Sequence, residues 1–170
     1  EFLLAPDGSF YFIEFNARIQ VEHPVTEEVT GIDLVKEQLQ VAAGEPLHFD
    51  SVEPQGASIE ARVYAEDPEN NFAPCPGNVG LCHLPGGPGI RVDSHLYPNY
   101  TVPRYYDSLL AKVIGPGHTR EEAIARLAGA LEEFQTEGVK TTAGLCARVI
   151  RSDRFRRGDI TPDMLEQFLG

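Results

Sequence analysis

The sequence predicts an α+β fold, with a largely antiparallel sheet flanked by helices. Two apolar runs, at residues 1–5 and 10–15, flank Asp7-Gly8, a pair that is typical of a hairpin turn. Apolar and polar residues alternate over residues 57–66, which indicates a strand with one buried face. After Thr119, apolar residues recur at helical spacing. With 170 residues, of which 42% are hydrophobic, the chain is long enough to build a core.

The first hairpin sets the register of the N-terminal residues. A turn centred on Asp7-Gly8 pairs Phe2 with Ile13 and Glu1 with Glu14. Like charges directly opposite each other are destabilising, so this register brings two carboxylates into conflict.

The later elements follow from caps and turn residues. Residues 30–33 open a helix that runs through Ala43 and ends at Gly44. Thr119 and Glu122 form a capping box that opens a helix reaching about residue 136. The other predicted elements are strands at 79–84, 90–96 and 108–114, the last ended by Gly115-Pro116-Gly117, and helices at 143–151 and from Pro162.

The charge and the cysteine content indicate which partners and which compartment the protein has. The chain carries 14 Lys and Arg against 26 Asp and Glu, a net charge of −12, which argues against a nucleic-acid or anionic-membrane partner. No apolar run approaches the ~20 residues that a membrane helix requires. The three widely spaced cysteines predict a reducing, cytoplasmic setting. Because the chain opens on Glu1 without Met, inside a predicted strand, we expect a fragment whose partner segment lies elsewhere.

The predicted hairpin suggests a metal site. A divalent cation would turn the repulsion between Glu1 and Glu14 into coordination, and Asn16 adds an amide oxygen on the same face. Two carboxylates and an amide suit Mg²⁺ or Mn²⁺. A solvated strand face whose glutamates never meet explains the spacing equally well.

Strict alternation over residues 14–22 predicts an extended strand that ends at Pro24. Within it, the planar guanidinium of Arg18 could bind an oxyanion such as bicarbonate or phosphate through two N–H donors. Glu22 lies too far along the strand for the same metal and is free to act as a general base. The alternative is an exposed ladder of salt bridges. The polar face presents an acid, an amide, a base, an amide and an acid in turn: Glu14, Asn16, Arg18, Gln20 and Glu22.

Arg62 lies on the outward face of the strand at 57–66, between Glu60 and Glu66. Alternation places this face away from the core. On its own, the pattern indicates a surface ion-pair cluster.

These segments closely resemble the biotin carboxylases of the ATP-grasp superfamily, and the resemblance extends over essentially the whole chain. The segments PGGPGIRVDSH and TVPRYYDS are most like the biotin carboxylase component of acetyl-CoA carboxylase. The resemblance is carried by FIEFNARIQVEHPVTE at 12–27, TGIDLVKEQL at 30–39, EARVYAEDP at 60–68, PGGPGIRVDSH at 85–95, YYDS at 105–108 and GVKT at 138–141.

The resemblance implies the C-terminal half of an ATP-grasp biotin carboxylase. Residues 1–50 would be the last part of the ATP-grasp catalytic domain, and residues 51–170 would form the biotin carboxylase C-terminal domain. The N-terminal domain and its mobile lid have no counterpart here, so we expect the chain alone not to turn over. The matching metal ligands, which would hold Mg²⁺ or Mn²⁺ against the phosphates of ATP, are Glu1, Glu14 and Asn16, with Leu3 and Ile13 beside the nucleotide.

The resemblance also implies a bicarbonate site and a biotin site. Glu22 would be the base that deprotonates bicarbonate, and Arg62 would steady the biotin enolate. Arg91 falls where the homodimer contacts of the family gather, and we expect Asp107 to lie beside it. The residues that match the bicarbonate site are Arg18, Gln20, Val21 and Glu22.

The implied reaction is the ATP-driven formation of carboxyphosphate, release of CO₂ and carboxylation of biotin on a biotin carboxyl carrier protein. A carboxyltransferase would then use the product, as in the first half-reaction of acetyl-CoA carboxylase in fatty acid synthesis. Propionyl-CoA, methylcrotonyl-CoA and pyruvate carboxylases remain alternatives. So do another ATP-grasp ligase, and a non-catalytic subdomain that only dimerises or docks a carrier.

Overall fold

The computed structural model describes residues 1–169 and shows antiparallel sheets flanked by helices, as the sequence predicts. The strands are β1 Phe2–Leu4, β2 Phe10–Phe12, β3 Ala57–Tyr64, β4 Glu66–Asp67, β5 Ala73–Pro74, β6 Gly77–Asn78, β7 Cys82–His83, β8 Arg91–Ser94, β9 Thr101–Val102, β10 Leu109–Gly117 and β11 Gln135–Thr136. The helices are α1 His23–Thr30, α2 Leu34–Ala42, α3 Arg120–Glu133, α4 Ala143–Arg151 and α5 Asp153–Arg157, with 3₁₀ turns at Pro68–Asn70 and Pro162–Phe168.

The main sheet has the strand order β3-β10-β8 and supplies most of the core. Alternation along β3 buries Ala61 and Val63, which pair across the strands with Val113 and Ala111. This apolar face packs against α3 and α4, where Ile124, Leu127, Leu131, Ala143, Ala147 and Ile150 complete the cluster.

Strand β10 continues through Gly115-Pro116-Gly117, where the sequence analysis wrongly ended it. Strand β8 pairs only with residues 111–114, so the outer side of β10 is open where Pro116 lacks an N–H. Gly115 and Gly117 allow α3 to pack closely against β10. A Cβ on Gly115 would lie 2.8 Å from the Leu127 Cβ, and one on Gly117 would lie 2.6 Å from the Ala123 nitrogen.

The first hairpin has a different register from the predicted one. Phe2 pairs with Phe12 rather than with Ile13, because the loop contains three residues, Pro6-Asp7-Gly8, and not two. Gly8 has a φ of 84°, and Ala5 closes the loop through bonds to Gly8 and Ser9. This is a type I turn followed by a left-handed residue, which shifts the pairing by one position. Ile13 therefore donates to the Glu1 carbonyl at 2.8 Å, but the Glu1 amino group also donates to the Glu14 carbonyl at 2.6 Å, so Glu1 and Glu14 still lie across from each other at the end of the hairpin.

The predicted strand over residues 14–22 does not form. Strand β2 ends at Phe12, and the chain runs through residues 13–20 without regular structure and enters α1 at His23. No second strand pairs with this segment among the described residues, so its alternation cannot be expressed as a ladder. Pro24 begins the helix rather than ending a strand, since proline is well suited to the first helical turn.

The remaining boundaries differ by a few residues. Helix α2 begins after the Asp33 cap, close to its predicted start, and α3 ends at Glu133, before the predicted residue 136. The predicted strands at 79–84 and 90–96 shorten to β7 and β8. No helix among residues 1–169 is long and apolar enough to cross a membrane.

We expect Gly115→Ala to lower the free energy of unfolding by about 1–3 kcal/mol, because the added Cβ would force α3 away from β10. Gly129→Ala, inside α3, is the matched control, since a Cβ there meets nothing within 4 Å. That change should raise the free energy of unfolding by about 0.5–1 kcal/mol. Urea unfolding of the full-length protein measures both, and equal effects would contradict the close packing of Gly115.

Candidate functional site

Two carboxylates meet at Asn16 in spite of the corrected register. The Asn16 Nδ2 donates to Glu14 at 3.2 Å and to Glu1 at 3.4 Å. The hairpin continues past Phe12, because the Glu1 carbonyl accepts from the Ile13 nitrogen and the Glu1 amino group donates to the Glu14 carbonyl. On its other side, the Asn16 Oδ1 accepts a hydrogen bond from Arg18 at 3.1 Å. Glu1, Glu14 and Asn16, called the acidic cluster below, therefore lie together at the end of the hairpin.

The donor set of the acidic cluster fits a hard divalent cation. Two carboxylates and one amide suit Mg²⁺, which is commonly held by one or two carboxylates with substrate phosphates and water. A half-turn of the Asn16 amide would present its oxygen to a cation and its nitrogen away from it. Among the residues described, no three His, Cys, Asp or Glu side chains gather into a cation site, so a self-contained protein cage is not formed here.

The segment before α1 is attached to the main sheet by two basic side chains. The Lys112 Nζ donates to the carbonyl oxygen of Val21 at 3.3 Å. The Arg62 Nη2 donates to the Glu22 Oε2 at 2.7 Å. The carbonyl of Gln20 accepts from the backbone nitrogen of His23 at 3.2 Å. Residues 20–22 are thus fixed against β3 and β10 at the point where α1 begins.

These attachments belong to a layer of charges between α1 and the polar face of the main sheet. Arg62, Lys112 and Asp93 stand side by side across β3, β10 and β8 in register. Lys112 lies 3.2 Å from Asp93, and Arg91 lies 2.9 Å from Asp93 and 2.7 Å from Glu27 of α1. We call the following set the charged layer: Glu22, Glu27, Glu28, Glu60, Arg62, Arg91, Asp93 and Lys112.

The protonation states follow from these contacts. Burial lowers the pKa of Arg62, but Tyr64, Glu22 and Glu60 outweigh it, so its pKa lies above the ordinary value. Burial raises the pKa of Asp93, but hydrogen bonds from Arg91 and Lys112 outweigh it and hold this pKa below the ordinary value. The hydrogen bond to Asp93 is the main reason that the pKa of Arg91 is raised. Arg62, Arg91 and Asp93 therefore keep their charges at neutral pH.

Comparison with known proteins identifies the family. A family model described as the biotin carboxylase C-terminal domain matches residues 60–167, which include Glu60, Arg62, Arg91, Asp93 and Lys112 of the charged layer. The chain belongs to the biotin carboxylase family. A second model, the ATP-binding domain of the carbamoyl-phosphate synthase L chain, matches residues 1–49, which include the acidic cluster.

Relatives in the biotin carboxylase family match the chain almost from end to end. It is 50% identical over 169 residues to the biotin carboxylase of Haemophilus influenzae, which covers 98% of this chain and 38% of that protein. It is 47% identical to a pyruvate carboxylase subunit of Methanothermobacter thermautotrophicus, covering 99% of this chain and 34% of that protein. The chain thus spans well under half the length of these relatives.

A solved structure of the family has the same fold. The biotin carboxylase domain dimer of Hydrogenobacter thermophilus 2-oxoglutarate carboxylase, in complex with MgADP, ADP and bicarbonate, matches with a TM-score of 0.95 and 45% identity. The match covers 98% of this chain and 37% of that one. This agreement confirms the family resemblance and the fold that the sequence predicts.

The structure brings most of the predicted site residues together in two groups. Arg18 joins the acidic cluster through Asn16, whereas Val21 and Glu22 join the charged layer. Leu3 and Ile13 lie on the hairpin, 59% and 54% exposed. Asp107 does not lie beside Arg91, contrary to the prediction. Its carboxylate accepts from the Leu109 nitrogen at 2.7 Å, while the partners of Arg91 are Glu27, Glu28 and Asp93.

Sequence reasoning missed five residues of the charged layer: Glu27, Glu28, Glu60, Asp93 and Lys112. Lys112 and Asp93 had no assigned role, and Glu60 was placed on a solvated face. In fact α1 covers that face, and only 4% of the Glu60 side chain is exposed. The registers of β3, β10 and β8 would have placed Lys112 beside Arg62 and Asp93, but those registers come from long-range pairing.

Proposed function

We propose that the protein carrying this chain is an ATP-dependent ligase that carboxylates biotin with bicarbonate. The observation that carries the proposal is the contact of Glu22 with Arg62 at 2.7 Å. It joins a carboxylate from the segment matched by the ATP-binding model to a guanidinium from the segment matched by the biotin carboxylase model. The reaction needs a base and a cation at one place, and these two residues supply them.

In this proposal, residues 18–22 bind and activate bicarbonate. Arg18, Gln20 and Val21 form the anion site, with the guanidinium of Arg18 supplying the positive charge. Glu22 removes the bicarbonate proton, and an oxygen of the resulting anion attacks the γ-phosphorus of ATP to give carboxyphosphate and ADP. Among the described residues, the Glu22 Oε1 accepts no hydrogen bond, so this oxygen is available for the proton.

Arg62 acts in the second step of the proposed reaction. Carboxyphosphate breaks down to CO₂ and phosphate, the released phosphate takes the proton from the ureido nitrogen of biotin, and that nitrogen attacks CO₂. Negative charge builds up on the ureido oxygen when the proton is lost, before the N–C bond forms. The guanidinium of Arg62, 38% exposed and always charged, stabilises that oxygen.

The acidic cluster is proposed as the metal site. Glu1, Glu14 and Asn16 would hold Mg²⁺ or Mn²⁺, and Leu3 and Ile13 would lie beside the nucleotide. A divalent cation in such a site neutralises charge on the phosphates of ATP. The Asn16 Nδ2 donates to both carboxylates, which supports this role. Two carboxylates so close together repel each other unless a cation or hydrogen-bond donors lie between them.

The carboxyl acceptor is proposed from the chain's resemblance to acetyl-CoA carboxylase. The partners would be a biotin carboxyl carrier protein, a carboxyltransferase and a second copy of the protein in a homodimer, acting in the cytoplasm in fatty acid synthesis. Pyruvate and 2-oxoglutarate carboxylases among the relatives make other acceptors the alternatives. We also propose that the ATP-grasp domain ends near residue 50 and the C-terminal domain begins at residue 51.

We expect the full-length protein to transfer labelled bicarbonate to free biotin only with ATP and Mg²⁺. Arg62→Met should lower kcat for biotin carboxylation by about 100-fold, because the ureido oxygen loses its cation. Hydrolysis of ATP with bicarbonate alone should persist in this variant. Arg148→Met, on the exposed side of α4, is the matched control and should behave as wild type. A wild-type protein that fixes no bicarbonate onto biotin would overturn the proposal.

Mn²⁺ binding tests the acidic cluster without relying on turnover. In the full-length protein, Glu14→Gln should weaken Mn²⁺ binding, measured by paramagnetic resonance, by at least about tenfold, because one of two charged ligands is lost. Glu45→Gln, between α2 and β3, is the control and should leave binding unchanged. Equal Mn²⁺ affinity in Glu14→Gln and wild type would remove Glu14 from the metal site.

A further inference from the structure

Glu60 is a buried carboxylate without a hydrogen bond. Its side chain is 4% exposed, and neither Oε1 nor Oε2 finds a partner among the described residues. Its nearest cation is the Nε of Arg62, which lies 3.7 Å away from Oε1, beyond hydrogen-bond range. The other carboxylates of the charged layer all accept at least one hydrogen bond.

Such a group costs stability where it stands. A buried carboxylate that accepts no hydrogen bond loses its hydration without full compensation. Burial accordingly raises the pKa of Glu60, against the opposing effect of Lys112 on β10, Arg62 on β3 and His23 on α1, while Glu22 raises it further. Proteins keep destabilising residues mainly at functional sites, where the residue serves the function. Glu60 would serve it by positioning a neighbouring side chain.

The neighbour that Glu60 acts on is Arg62. The two residues are separated by one position on β3, so their side chains leave the same face of the strand. The Nη2 of Arg62 binds Glu22, whose side chain is 51% exposed. Glu60 attracts the same edge of the guanidinium at Nε, from the buried side. Within residues 1–169, Nη1 of Arg62 makes no hydrogen bond of good geometry, and its nearest polar neighbour besides the two glutamates is the Tyr64 side chain, which raises the pKa of Arg62.

We propose that Glu60 is a positioning residue that, together with Glu22, holds the Nε–Nη2 edge of the Arg62 guanidinium, so that Nη1, on the other side, points at the ureido oxygen of biotin. This inference rests on the proposed function. Glu60 does not touch biotin in this arrangement, and it acts only through Arg62. Without it, only Glu22 would hold the guanidinium, and Arg62 would lose its fixed orientation toward the substrate.

The test uses Glu60→Gln and Glu60→Met in the full-length protein. Both variants should raise the KM for free biotin by about tenfold, because Arg62 is no longer oriented. ATP hydrolysis with bicarbonate alone should stay within about twofold of wild type, since Arg62 is not needed for that step. The Tm should rise by about 2 °C, because the unpaired buried carboxylate is gone. Glu132→Gln, which breaks the exposed pair with Arg151, is the matched control and should change none of these values.

The outcomes separate the possible roles of Glu60. A purely structural role predicts a lower Tm, or failure to fold, with both reactions falling together in both variants, and this result would overturn the inference. Biotin kinetics within about twofold of wild type in both variants would also overturn it. A wild-type protein that does not carboxylate biotin would overturn the proposed function and this inference together.

Discussion

Ion pairs between α1 and the polar face of the main sheet organise the whole candidate site. Arg91 pairs with Glu27 of α1, and Lys112 holds the carbonyl of Val21 just before the helix. Asp93 lies between these two cations and binds both of them. Acids and bases alternate through this layer, so each charge that α1 covers has a counterion, although Glu60 accepts no hydrogen bond from its own. A helix could not cover such a sheet face without these pairings, because unpaired charges are costly to bury.

This layer explains why function here depends on two parts of the chain that are distant in sequence. The segment with Gln20, Val21 and Glu22 has no strand partner and no regular structure of its own before α1. Its geometry comes from side chains of β3 and β10, which lie about ninety residues later in the case of Lys112 and Val21. Val21 and Glu22, proposed for bicarbonate, and Arg62, proposed for biotin, are therefore held by one set of contacts, although different family models match them.

Local patterns predicted the elements better than they predicted the contacts. Asp7-Gly8 correctly indicated a hairpin, but Pro6 lengthened its loop by one residue and shifted the register. The apolar–polar alternation before α1 predicted a strand, because side chains alternate with a period of two in any extended segment. Only pairing with a second strand distinguishes a strand from an irregular extended segment. The family resemblance pointed to Glu22 and Arg62 as site residues. Their contact, and the burial of Glu60 behind them, required the long-range pairing of β3 with β10.

The most direct test of this account removes Lys112, which anchors the bicarbonate segment without belonging to it. In the full-length protein, Lys112→Met keeps the aliphatic stem but loses the bond to Val21. The account predicts that the KM for bicarbonate in ATP hydrolysis without biotin rises by at least about tenfold, while circular dichroism shows a folded protein. Lys36→Met, on the exposed face of α2, should leave that KM unchanged. An unchanged KM for bicarbonate in Lys112→Met would contradict the claim that the charged layer positions the site.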